Sequence, residues 1–257
     1  MRINANTQTA TGLLLAAIIF AAWLGVHIWA MFVLRIDAHN FWIVPAVIAL
    51  QCWLSVGMFI VAHDGMHGSL SPKMRNLGQA VGSVLLFLYA GFGWRKMRDA
   101  HFEHHKYTGT ARDPDYNANN PHDFWPWYGV FLKRYFGWMS MAWVWTVVLT
   151  YYFILNVPPQ NIGLLYGFPA IASSLQLFYF GTYRPHRMQA DDFAPGGFVD
   201  AHRSRTNDYG VLASLFTCFH FGYHHEHHLS PSVPWWGLPL RHKQYVQDRL
   251  YPKGEAA

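Results

Sequence analysis

Ten of the chain's 16 histidines fall in three short windows. His63 and His67 stand at i and i+4 in HDGMH. His101, His104 and His105 stand at i, i+3 and i+4 in HFEHH. His224, His227 and His228 repeat that spacing in HHEHH, with His220 and His225 beside them. On a helix these positions share a face, so each window can aim two or three imidazoles at one point. Eight imidazoles exceed the four ligands of a structural zinc site and suit a two-metal centre. The ligand type alone fits iron, copper, zinc or nickel. Cys52 and Cys218 are the only cysteines, which leaves no disulfide framework and no thiolate metal site. A single histidine near a helix end is more often a cap or a surface group, and His27, His39, His122 and His242 are read that way.

The elements that must position these rings are apolar. The chain of 257 residues is 52% hydrophobic and 13% charged, about half the charge of an ordinary soluble domain. That balance excludes a disordered chain. The net charge of +5 is scattered and forms no dense basic stripe, so no nucleic-acid partner is expected. Four uncharged runs, 12–34, 41–62, 136–155 and 162–183, are long enough to cross a bilayer. The alternative, a buried core in a large soluble helical protein, rarely holds uncharged runs above 18 residues. A fifth run, 77–93, carries Gly78, Gly82, Gly91 and Gly93 and at 1.5 Å per residue reaches only about 25 Å. If it crossed, the first two windows would lie a bilayer apart. It is therefore read as re-entrant or interfacial. Arg35 is then the one far-side residue among 19 lysines and arginines, which makes the histidine face cytoplasmic. The expected fold is all-α: a single membrane-embedded domain over 1–257 with about four transmembrane helices, the fifth segment, and a cytoplasmic histidine-rich helical cap of 94–135 and 184–257. The chain is therefore expected to be a multi-pass membrane protein. A histidine-rich metal transporter is the competing class, but the spans offer it only Gln51 and Gln176 as intramembrane polar groups.

The HxxxH, HxxHH, HxxHH set resembles the membrane di-iron oxygenases and desaturases. The phrases FIVAHDGMHGS, LYAGFGWRKM, HFEHHKYTGTARDPDY, LFYFGTYRPHR and TCFHFGYHHEHHLSPSVPWWGLP resemble the bacterial β-carotene ketolase family. The likeness runs from about residue 12 to residue 240. In one departure, FHFGYHHEHH is a residue shorter than the family's form, which leaves His220 without an assigned role. The resemblance implies two iron ions, dioxygen as co-substrate and an external electron donor, ferredoxin or similar. It implies ketone formation at C4 and C4′ of the β-ionone rings by two hydroxylations of one carbon, followed by loss of water. β-Carotene would pass through echinenone to canthaxanthin, and zeaxanthin to astaxanthin. A carotenoid hydroxylase, an acyl-lipid desaturase and an alkane hydroxylase are the alternatives on the same scaffold. Gly78 and Gly82 follow no strand, so no dinucleotide fingerprint is present.

The resemblance makes His63, His67, His101, His104, His105, His224, His227 and His228 metal ligands. It calls for a ninth histidine outside the boxes: His186, which follows the fourth run, with His202 behind it. Asp64, Glu103 and Glu226 sit in or beside the boxes and are candidates for the carboxylates that accept a ligand imidazole's other N–H. Surface ion pairing is the alternative for these three. Asp113 and Asp115 hold the loop after the second box or simply flank a turn at Pro114. A polyene substrate from the bilayer needs a tunnel, for which Phe92, Trp94, Leu175, Phe178, Tyr179 and Phe221 are candidate linings. The segment Pro231 to Pro239, with Trp235 and Trp236, is either a cover for the site or an interfacial anchor.

Overall fold

The computed structural model describes residues 3–187, 202–207 and 209–250. Residues 188–201, 208 and 251–257 of the expected cap lie outside it. The described residues are helical and contain no strand. Three helices are long and apolar enough to cross a membrane: α1 (Ala5–Val33), α2 (Phe41–His67) and α7 (Pro159–His186). Each overruns its expected boundary. α1 starts seven residues early, where the Asn4 side chain accepts the Asn6 N–H and caps the helix. α2 has Pro45 in its first turn and runs unbroken through the first histidine window to Gly68, whose φ of 73° ends it. The first window is therefore the last turn of a span and not a loop beyond it. α7 carries a π-helical turn near each end, Ile162–Gly167 and Tyr179–Tyr183.

The run expected at 136–155 condenses into α6 (Trp138–Ile154), twelve α-helical residues followed by a five-residue π turn. It is shorter than the three long spans because Gly137 and the Tyr135–Phe136 break set its start. The fifth run forms α3 (Arg75–Ala90), followed after a short break by α4 (Trp94–Tyr107) at a bend of 101°. Gly91 makes that bend. Its φ is 65°, and a Cβ there would lie 2.6 Å from the Cβ of Trp143, so only glycine fits. α3 packs along α2, and the bend turns α4 so that its histidines face the end of α2. The remaining helices are α5 (Phe124–Tyr135), α8 (Val211–Cys218), α9 (His224–Leu229) and α10 (Leu238–Leu250).

One core cluster is centred on α2, with Val56, Met58, Ile60 and Ala62 packing against Leu86, Cys218, Phe219 and Leu238. A second sits at the far end of the bundle around Met31, Val47 and Leu165. Near the histidine end, Gln8 of α1 donates to the carbonyls of Ser69 (2.7 Å) and Ser232 (3.1 Å). It ties α1 to both the loop after α2 and the segment after α9.

Candidate metal centre

Nine imidazoles meet where α2, α4, α7 and α9 end or cross. They form two groups whose ring nitrogens lie within 4.8 Å of one another: His63, His67, His101, His105 and His227 in one, and His104, His186, His224 and His228 in the other. The HxxHH windows explain the split. Adjacent residues on a helix are about 100° apart, so each His-His doublet sends its two rings to different groups. From α4, the i, i+4 pair His101 and His105 joins the first group and His104 the second. From α9, the i, i+4 pair His224 and His228 joins the second group and His227 the first. The groups share a wall, since His105 stacks on His228 with ring centroids 4.2 Å apart.

The facing atoms are mostly Nε2. His67 and His101 present Nε2 atoms 2.6 Å apart, His105 and His227 3.0 Å, His186 and His224 2.8 Å, and His224 and His228 3.0 Å. Behind the rings, His104 donates its Nδ1–H to Asp113 (2.9 Å) and His186 donates its own to the Arg203 carbonyl (2.9 Å). Each bond fixes the tautomer that leaves Nε2 facing the cluster. Both nitrogens of His63, and Nδ1 of His224 and His228, are buried with no hydrogen-bond partner. Burial, then the neighbouring rings, hold His224, His227 and His228 well below the usual imidazole range. Imidazoles converging in two compact sets, with unpartnered nitrogens on His63, His224 and His228, fit two metal ions.

The carboxylate behind His104 is one that the box spacing did not reveal. Asp113 lies nine residues on and reaches back through a turn in which it also accepts the N–H groups of Gly109 and Asp115, both at 2.8 Å. Burial alone would raise its pKa, but the His104 ring and the Gly109 N–H outweigh burial and hold it below the usual carboxylate range. Burial pushes Asp115 up, and Asp115 accepts the Tyr135 hydroxyl.

A cavity of about 650 Å³ opens from the histidines. Its lining includes His63, His101, His104 and His224 and, toward the opposite end of α7 from His186, Ile162, Gly163 and Tyr166. One face of α7, with Gly163, Gly167, Ala170, Ser174 and Gly181, forms a long wall, its small side chains leaving room for a slender apolar guest.

The family model for fatty acid desaturases matches residues 49–155 and 131–256. A β-carotene ketolase from one strain of Paracoccus sp. is 44% identical over 232 residues, covering 90% of this chain and 92% of its own. One from a second Paracoccus strain is 43% identical over 237 residues, covering 92% and 94%. A zeaxanthin 4-ketolase of Chlamydomonas reinhardtii is 31% identical over 240 residues, covering 89% of this chain and 52% of its own. The chain belongs to the β-carotene ketolase family.

In this family member all nine histidines anticipated from sequence lie in the two groups. His202 does not; its ring is 6.4 Å from that of His228. The three anticipated carboxylates behave differently. Asp64 is 3.7 Å from His63 Nδ1, beyond hydrogen-bond range, and accepts the Trp235 N–H at 3.0 Å. Glu103 is exposed. Glu226 is buried, yet it bonds His242 (2.8 Å) and Thr206 and not a cluster ring. Glu103 and Glu226 both stand two residues after a box's first histidine, about 200° around the helix, so they face away from the clusters. The surface reading fails for His242, which Glu226 holds, and for His27, which is buried against Trp23 and bonded to the Tyr151 hydroxyl at 2.7 Å.

Of the six anticipated linings, Phe92 and Phe221 border the cavity. The other four are turned elsewhere. Trp94 packs over Gly65 and Gly82. Phe178 is fully buried in an aromatic cluster with Trp127 and Tyr183. Tyr179 contacts that cluster and accepts from Arg184. Leu175 is half-buried off the cavity face. Trp235 is buried and pinned to Asp64, so the segment 231–239 covers the end of α2.

Proposed function

We propose that this protein is a β-carotene ketolase that oxidises C4 and C4′ of β-ionone rings, giving echinenone and then canthaxanthin. The reading rests on the nine imidazoles standing at one end of a long apolar cavity, in a chain that matches β-carotene ketolases over most of both lengths. His63, His67, His101, His105 and His227 would hold one iron, and His104, His186, His224 and His228 the other. Two bound iron ions would supply dioxygen activation strong enough for an unactivated C–H bond.

The chain's own residues do the rest. The small-residue face of α7 and the rings of Phe92 and Phe221 receive the polyene and exclude water. One β-ring comes to rest beside His63 and His224. Asp113 and the Arg203 carbonyl hold the Nδ1–H of His104 and His186, so that Nε2 of each ring points into the cluster. Each hydroxylation consumes one dioxygen, two electrons and two protons, and yields one C–OH and one water. The second, at the same carbon, gives a geminal diol that loses water to leave C=O. The electrons come from an external reduced donor of the ferredoxin type.

The scarcity of basic residues between α1 and α2, with Arg35 alone there, supports an inner-membrane orientation with the histidines on the cytoplasmic side. α1, α2, α6 and α7 would be the four crossings, and α3 with α4 the re-entrant pair. In β-carotene-producing cells, expression should shift the pigment to echinenone and canthaxanthin, and purified protein should hold two irons per chain. Unaltered β-carotene with new unsaturation in the lipids would reject the reading in favour of a desaturase.

A further inference from the structure

The cavity has two ends, and only one is accounted for by oxidation chemistry. Four tyrosines line it: Tyr89, Tyr128, Tyr135 and Tyr166. Three have their hydroxyls engaged by the protein. Tyr89 pairs with Ser173 (3.0 Å), Tyr128 with Ser174 (3.1 Å), and Tyr135 with Asp115. Tyr166 is the exception. Among the described residues its hydroxyl has no hydrogen-bond partner, although the ring is firmly placed. It stands edge-on to His27, with centroids 5.8 Å apart, and to Tyr151, at 6.0 Å. His27 Nε2 and the Tyr151 hydroxyl are bonded to each other.

A hydroxyl left unbonded against apolar surroundings is costly. Among the four lining tyrosines, Tyr166 alone keeps a hydroxyl without a partner among the described residues, which makes that donor a feature that a guest can complete. Its distance is informative. Tyr166 and His186 lie on the same continuous helix, 20 residues apart, which is about 30 Å at 1.5 Å per residue. That matches a guest extended along the whole rod, one end at the histidines and the other at Tyr166.

We propose that the Tyr166 hydroxyl reads the distal ring of the carotenoid by donating a hydrogen bond to an oxygen function on it. The inference rests on the ketolase reading and adds to it a substrate class: carotenoids already oxygenated at one end, of which echinenone is the first product. β-Carotene enters either way round and leaves the hydroxyl unbonded. Echinenone enters with its ketone against Tyr166, which presents the untouched ring to the histidines and directs the second round of oxidation to the correct end.

Tyr166→Phe removes only the oxygen, at a position where it bonds no protein group, so the fold is retained. The experiment has two arms. The first gives wild-type and Tyr166→Phe protein, in lipid nanodiscs with a reduced electron donor, either β-carotene or echinenone. Consumption of β-carotene should stay within about two-fold, while consumption of echinenone should fall by about five-fold or more, the loss of one hydrogen bond. In cells echinenone should accumulate at the expense of canthaxanthin. The second arm measures binding of both carotenoids by quenching of tryptophan fluorescence, without turnover. Echinenone should bind about five-fold more weakly to the variant, and β-carotene should be unchanged. Equal effects on both carotenoids, or no effect on either, would overturn the role of Tyr166. Wild-type protein that makes no ketone from either carotenoid would overturn the ketolase reading instead, and the binding arm would still decide whether Tyr166 recognises the oxygen.

Discussion

The two histidine groups are built from the same residue type and share α4 and α9, with α2 completing one and α7 the other, yet their surroundings differ. In the group of His104, His186, His224 and His228 every member is buried, and two are anchored from behind, by Asp113 and by the Arg203 carbonyl. In the group of His63, His67, His101, His105 and His227 three members are only half-buried, and Asp64, the carboxylate next to His63, stands beyond bonding range of it. Ligand count and rigidity run in opposite directions. The smaller set is fixed by partners behind the rings, whereas the larger relies on an additional ring.

The largest effects should come from the rings themselves. His104→Ala and His227→Ala each remove one ring, from opposite groups, and on the di-iron reading both should lower turnover to background and reduce bound iron. Robust ketone formation by either would break the assignment. Chelation should separate the groups more sharply. The half-buried set should release its ion first, so that iron followed by elemental analysis leaves in two phases of equal size. A single phase would erase the contrast. Next in size, Asp113→Asn should cost about 10–100-fold in activity or metal affinity, and Asp64→Asn clearly less, because only Asp113 bonds a cluster ring. Their order in a pigment assay tests whether anchoring or ligand number matters more. The smallest effect should be that of Glu103→Ala, within about 0.5 kcal/mol in stability and without change in product ratio, since its carboxylate is exposed.

The sequence carried the eight box histidines because i, i+3 and i+4 define a helix face whatever the surrounding fold. It carried the ninth only through resemblance, since nothing local distinguishes His186 from any interfacial histidine. Asp113 escaped because its link to His104 closes through a turn and not along a helix. Glu226 misled because adjacency in sequence is not adjacency around a helix. The cavity walls were read least well. Trp94, Leu175, Phe178 and Tyr179 lie on the right helices, but which face of an apolar helix meets a cavity depends on packing that periodicity does not reveal when every face is apolar. The length of α6 was overread for a related reason, since an uncharged run marks what can enter a membrane and not where backbone geometry lets the helix begin.

α7 carries both a wall of the cavity and one of the nine rings. Inserting a single residue between Gly167 and Gly181 would displace His186 by 1.5 Å and swing it through about 100°, taking it out of its group. Deletion would do the same in reverse. The reach from the oxidising end to Tyr166 therefore cannot drift by small insertions without the loss of a ring. Guests of a different length can be accommodated only by trading side-chain bulk at the Tyr166 end, as one fits a new shoe by changing the insole and leaving the last alone.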